Sequence, residues 1–224
     1  MRINADFSRH AVIDGDAYEW IASPLPGVDR VMLDRIGGEV ARATSIVRYA
    51  AKSRFSEHIH GGGEEFLVLD GVFSDAHGDY PPGTYARNPV GTRHAPWSEG
   101  GCTLFVKLCQ FQPDDVGQTV IDTRAATWQP GAVEGLSLLP LHEHGSERVR
   151  LARFDAGTRG PEHNHPDGEE ILVLQGVLAD EAGASPAGTW LRYPPGSTHR
   201  PFSDEGCLLY VKSGHLDPPI GPGV

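Results

Sequence analysis

The residues best suited to chemistry in this sequence are two histidines one residue apart with a glutamate close behind. His58-Ile59-His60 is followed by Gly61-Gly62-Gly63, then by Glu64-Glu65 and the apolar run Phe66 to Leu69. A third histidine, His94, closes the stretch Pro89-x-Gly91-x2-His94. Three imidazoles and one carboxylate form a mixed nitrogen and oxygen donor set that suits a divalent transition metal. To act together they must meet at a point, which sets demands on the backbone. Side chains alternate along a strand, so His58 and His60 share a face. The three glycines permit a sharp reversal. Glu64 then opens the next strand, and His94 arrives on a later strand after a Pro-x-Gly turn.

The stretch occurs twice. A shift of 105 turns His58, His60, Glu64 and His94 into His163, His165, Glu169 and His199. Residues 58–107 and 163–212 align without a gap and share 26 of 50 positions. Gly71, Gly83, Pro89 and Gly91 return as Gly176, Gly188, Pro194 and Gly196. Chance does not produce this. The duplication extends toward the N-terminal side as well. Val12-Ile13-Asp14 and Trp20 match Val120-Ile121-Asp122 and Trp128 at a shift of 108, and three residues are lost before Val133. The expected organisation is two lobes, residues 1–113 and 114–224, joined near Gln112-Pro113-Asp114-Asp115-Val116-Gly117. Each is long enough to bury a core.

The positioning elements read as strands. Val31 to Ile36, Thr44 to Ala50, Glu64 to Leu69, Tyr85 to Asn88 and Cys102 to Leu108 each have a counterpart in the second repeat. No stretch sustains a 3.6-residue period. With 28 glycines and 18 prolines the pattern is that of an all-β chain of short strands and tight turns, a sandwich or barrel. The tail Leu216 to Val224 is expected to be irregular.

Composition narrows the partners. The formal charge of −11 disfavours phosphate backbones, and no basic cluster addresses an anionic membrane. No apolar run reaches transmembrane length, and the first residues lack the apolar core of a signal peptide. Three cysteines make a disulfide framework improbable. The expectation is a cytoplasmic protein with no nucleic-acid or membrane partner.

The motifs resemble those of the cupin superfamily, G-x5-H-x-H-x3-4-E-x6-G and G-x5-P-x-G-x2-H-x3-N. The second repeat supplies Gly157-x5-His163-x-His165-x3-Glu169-x6-Gly176 and Gly188-x5-Pro194-x-Gly196-x2-His199; in the first, Lys52 replaces the opening glycine. Ser98 and Ser203 stand where the family has asparagine. The resemblance implies a duplicated cupin, or bicupin, in which each lobe is a double-stranded β-helix (jelly-roll barrel) holding one divalent metal. The six-residue spacing to glycine selects Glu64 and Glu169 as ligands. Glu65 and Glu170 face the other way and are expected to be surface or supporting groups.

The run Gly-Glu-Glu-Phe-Leu-Val-Leu-Asp-Gly is most similar to the cupin domain of ChrR-type anti-sigma factors. These bind zinc there and respond to singlet oxygen and peroxide stress. Their sigma-binding part is a separate zinc domain with a His-x3-Cys-x2-Cys element, and this sequence has no Cys-x-x-Cys. Two functions follow from the resemblance. One is a ChrR-like regulatory or sensing module, with zinc as the expected metal. The other is a dioxygenase of a small diketone or hydroxyketone, with iron or manganese; nickel also suits the donor set. A small-molecule ligand is open, and family habit implies a homodimer. Arg87 and Arg192 are expected in structural ion pairs, Cys102 and Cys207 in the core, and His142-Glu143-His144 in a surface turn. His10, His77 and His215 carry no inference.

Overall fold

The computed structural model describes residues 1–217. Of the tail expected to be irregular, residues 218–224 lie outside the described residues. The described residues hold no α-helix, only the single 3-10 turn Gly15–Ala17 among β-strands, as the missing 3.6 period predicts.

Two compact units form. The first gathers Met1–Ala5 and Glu19–Ala125. Its main sheet runs Arg2–Ile3, Val28–Gly37, Ala41–Tyr49, Cys102–Leu108, Glu64–Gly71, Thr84–Asn88, Thr119–Asp122, all antiparallel. Shorter strands, Gly78–Tyr80, Phe73–Asp75, Trp97–Ser98 and Ser53–Arg54, make a second sheet. Alternation decides what faces inward. Cys102, Leu104 and Val106 join Phe66, Val68, Tyr49 and Phe73 in one core cluster.

The second unit comprises Asp6–Tyr18 and residues 126–217. Its sheet runs Gln129–Pro130, Leu136–His144, Glu147–Phe154, Cys207–Ser213, Glu169–Asp180, Trp190–Tyr193, Ala11–Ile13. Its core repeats the first at the shifted positions, with Cys207, Leu209, Val211, Ile171, Val173 and Phe154. This is the duplicated jelly-roll.

The edge strands follow a rule that the order of the repeats does not show. Thr119–Asp122, which leads into the second repeat, pairs with Thr84–Asn88 of the first unit. Ala11–Ile13, which leads into the first repeat, pairs with Trp190–Tyr193 of the second. Each unit is therefore closed by the strand that precedes the other repeat in sequence. Supporting bonds accompany each pairing. Thr123 Oγ1 donates to the Gly83 carbonyl at 2.7 Å, and Tyr18 donates from its hydroxyl to the Gly188 carbonyl at 2.5 Å.

The family departures are absorbed locally. Lys52, standing in for glycine, takes φ +64°, and its counterpart Gly157 takes +81°. Ser98 and Ser203 donate their hydroxyls to the carbonyls of Val72 and Val177 at 2.7 and 2.6 Å.

Candidate metal centres

The turn between the first two site strands sets the geometry. Gly63 has φ +79°, and a Cβ there would lie 2.2 Å from the Phe111 ring; Gly168 repeats this against Leu216. Only glycine meets both conditions. The Pro-x-Gly turn is tied to the same place, since the amide of Gly91 donates to the His60 carbonyl at 2.9 Å and Gly196 to that of His165 at 2.8 Å. This lock sets a strand register in which His94 lies opposite His58 and His199 opposite His163.

The four residues expected in each repeat come together. Within each set, His58, His60, Glu64 and His94, or His163, His165, Glu169 and His199, one donor atom per residue lies within 4.8 Å of the others. His60 Nε2 is 3.4 Å and His94 Nε2 3.6 Å from Glu64 Oε2. His58 and His163 are half-buried, and the other six ligand candidates are buried.

Tautomers follow from the outer partners in the first site. Thr92 donates its hydroxyl to the Pro89 carbonyl at 2.7 Å, so it accepts from His60 Nδ1–H at 2.9 Å. His58 Nδ1–H donates to the Ser56 carbonyl at 3.2 Å, and His94 Nδ1–H to Asp75 Oδ2 at 3.0 Å. All three Nε2 lone pairs are left for the centre. In the second site His163 donates to the Pro161 carbonyl and His199 to Asp180 Oδ2. His165 differs: its Nδ1 lies 3.5 Å from Glu169 Oε2.

The donor set fits a divalent metal on an observation of its own. Nε2 of His60 and of His199, the nitrogen that each turns toward its glutamate, is buried without a hydrogen-bond partner. A buried ring nitrogen with no partner is costly unless something binds it. Burial also lowers the proton affinity of His60 and His199, and pushes His165 down to about 3, helped by the neighbouring His199 and His163. Neutral imidazoles are the form that binds metal. Burial raises Glu169 to about 7, with the Arg150 guanidinium pulling the other way.

Asp75 and Asp180 are supporting residues that the motif pattern misses. Both recur at the same shift of 105, and that was the available signal. Their phenol donors come from different places: Tyr80 donates to Asp75 Oδ1 at 3.0 Å, and Tyr193 to Asp180 Oδ2 at 2.6 Å. At the position of Tyr193 the first unit has Asn88, which donates to Glu64 Oε2 at 3.1 Å and is itself held by Gln118 at 3.1 Å.

The other singled-out residues lie outside these two sets. Arg87 is fully buried, with its guanidinium 2.7 Å from Glu65 and 2.5 Å from Asp115, so it is the expected ion pair. Glu65 and Glu170 are not on the surface. Both are buried, Glu170 accepting from Trp190 Nε1 at 2.7 Å and pairing with His215 at 2.9 Å. Arg192 is buried too, and it donates to the Asp6 carbonyl at 3.0 Å with the Phe7 ring against its guanidinium. Cys102 and Cys207 are buried in the core. His142-Glu143-His144 ends the strand Leu136–His144 instead of lying in the turn that follows.

Each set opens on a cavity. That beside His58 and Glu64 measures about 470 Å³, with Tyr49, Leu104 and Val106 on its walls and Arg30, Arg35 and Glu39 also lining it. That beside His163, Glu169 and His199 measures about 180 Å³ and is walled by Leu136, Leu138, Ile171, Leu209 and Val211.

The ChrR cupin-like domain family matches the chain twice, over residues 8–112 and 116–217. The chain belongs to this family. Solved structures agree on the fold at low identity. A provisionally named dioxygenase from Nostoc punctiforme has a TM-score of 0.78 at 16% identity, covering 92% of this chain and 83% of its own. The pirin YhhW from Escherichia coli, in complex with nickel(II), has 0.67 at 13%, covering 92% and 98%. Oxalate decarboxylase from Bacillus subtilis has 0.62 at 12%, covering 90% and 75%. No protein of curated function matches the sequence. Among the described residues no helix is long and apolar enough to cross a membrane.

Proposed function

We propose that this ChrR-like bicupin binds one divalent metal in each unit and acts as a cupin-type dioxygenase on a small diketone or hydroxyketone. The supporting observation is that each three-histidine, one-glutamate set borders a cavity and keeps one half-buried histidine beside it. A purely structural ion is normally enclosed by its ligands. His58, His60, Glu64 and His94 would hold one ion, and His163, His165, Glu169 and His199 the other. A bound divalent ion supplies a Lewis acid that polarises a ligand oxygen and eases loss of a neighbouring proton.

The protein's own groups do the rest. Asp75 and Asp180 keep the Nδ1 protons of His94 and His199 in place, so the lone pairs face inward. Asn88 orients the Glu64 carboxylate. Apolar walls exclude water around the reacting ligand, which strengthens electrostatic effects inside.

A second reading is a metal-bound sensing module of the ChrR type, in which zinc closes each site. The family match over both repeats favours it. Elemental analysis of protein purified without added metal, with His60→Ala and His165→Ala alongside, separates the two. Iron or manganese, with oxygen uptake on a panel of diketones, supports the dioxygenase. Near two zinc per chain without oxygen uptake supports the sensor. Metal content indifferent to both substitutions sinks both.

A further inference from the structure

The two sites share their ligands but not their walls. At the shift of 105, Ser45 of the first repeat becomes Arg150 in the second. Ser45 lines the first cavity and Arg150 the second. Several wall positions are kept, Leu104 as Leu209, Val106 as Val211 and Tyr49 as Phe154, whereas Arg30 and Arg35 of the first cavity correspond to Gly135 and Pro140. Apart from the donor set, Arg150 is the single polar side chain lining the second cavity among the described residues.

The backbone of Arg150 is fixed and its guanidinium is lightly engaged. It sits in the strand Glu147–Phe154, which is paired on both sides by Leu136–His144 and Cys207–Ser213. Its guanidinium comes to 3.8 Å of Glu169 Oε2, beyond hydrogen-bond range, and its side chain keeps 34% exposure. A planar guanidinium with five donors matches a carboxylate in two parallel bonds. Neither Glu169 nor any other described side chain takes up those donors.

We propose that the second site takes a short-chain oxo acid, its carboxylate on Arg150, its carbonyl toward the His163, His165, Glu169 and His199 set, and its apolar chain against Leu136, Leu138, Ile171, Leu209 and Val211. This names the ligand class of one site in the metal reading above and rests on that reading. Size agrees. The cavity measures about 180 Å³. That is room for a small branched acid. The first site, with Ser45, has no cation at this position.

The test uses the full metal-loaded chain and calorimetric titration with 4-methyl-2-oxopentanoate, against its neutral counterpart methyl isobutyl ketone. Wild type is expected to prefer the acid, and Arg150→Ser to lose about tenfold to a hundredfold in affinity for it, the scale of a charge-assisted pair. Its metal content should stay at the wild-type value. Arg150→Lys should recover part of the loss. Equal affinity of wild type for acid and ketone, equal affinity of wild type and Arg150→Ser for the acid, or no binding at all overturns the proposal. Loss of metal in Arg150→Ser also overturns it, because Arg150 would then serve to position Glu169. A wild-type chain without metal defeats the metal reading by elemental analysis, and the acid-over-ketone preference still scores Arg150 on the same sample.

Discussion

Nδ1 of His94 lies 3.0 Å from Oδ2 of Asp75, and the same pairing returns 105 residues later between His199 and Asp180 at 3.2 Å. Both carboxylates are buried or nearly so, and each also accepts from a tyrosine. At Asp180 burial works to raise the carboxyl, but the bonds from Tyr193, Ala182 and His199 outweigh it and hold the group below its usual range. Asp180 is therefore held in its charged form, and each aspartate, by accepting the Nδ1 proton, keeps its histidine in the tautomer that presents Nε2.

Removing such a carboxylate should weaken the site without deleting a ligand. Asp75→Asn is expected to lower metal affinity of the first unit by roughly 10- to 100-fold, and Asp180→Asn that of the second. Chelator competition on each variant checks this. Unchanged affinity in both would mean that the pairing does not support the metal.

Proton competition should be visible at Glu169. Its carboxyl is raised to about 7 by burial, so a proton contests the second site as pH falls through that value. Metal retention there should drop between about pH 8 and 6. In metal-free protein the raised group favours the fold below its unfolded value, near 4.5, and that contribution is lost as pH rises through about 7. His165 has the opposite sign, its depressed value favouring the fold at high pH, with the contribution lost as pH falls from 6.5 toward about 3. The melting temperature of Glu169→Gln relative to wild type, measured without metal, cancels much of the histidine effect. It should rise from about pH 5 to pH 8, and a flat difference would contradict the assignment.

The cysteines are expected to be poor thiol sensors. Burial raises Cys102 to about 11, and burial likewise raises Cys207 and Cys109. Thiolate is the reactive form. At about pH 8 the native chain should titrate slowly with a disulfide reagent, with half-buried Cys109 reacting first. In denaturant all three should react at once. Fast native labelling of Cys102 would contradict its burial.

The exchanged edge strands make a prediction about fragments. Residues 1–113 lack Thr119–Asp122, which pairs with Thr84–Asn88, and lack Asp115, the 2.5 Å partner of buried Arg87. Breaking a buried pair costs about 3–5 kcal/mol, and an uncovered edge invites aggregation. A chain of residues 19–125 should be more soluble and melt more cooperatively than 1–113. The reverse order would show that the exchanged strand is dispensable.

The donor set was legible in the sequence because its parts are local. His58 and His60 share a strand face, Glu64 follows one tight turn, and the Pro-x-Gly turn brings His94 back opposite His58. Repetition at a constant shift then separated signal from coincidence. Asp75 and Asp180 repeat as well, but a lone aspartate in a hairpin carries no local pattern that says it will meet a histidine 19 residues on.

What the sequence by itself determined was the duplication, the strand content and the eight ligand candidates, since these depend on spacing and alternation. Only the tertiary structure decided which strands pair at the edges, because pairing between distant segments is set by register and burial and leaves no mark in local spacing. Val12-Ile13-Asp14 and Val120-Ile121-Asp122 look like the openings of their own repeats, yet each completes the sheet of the other. Glu65 and Glu170 likewise read as surface or supporting groups, and burial decides between the two, making them partners of Arg87 and of Trp190 and His215. The two cavities, and the charge that Arg150 brings to one of them, exist only once the strands that line them are placed side by side.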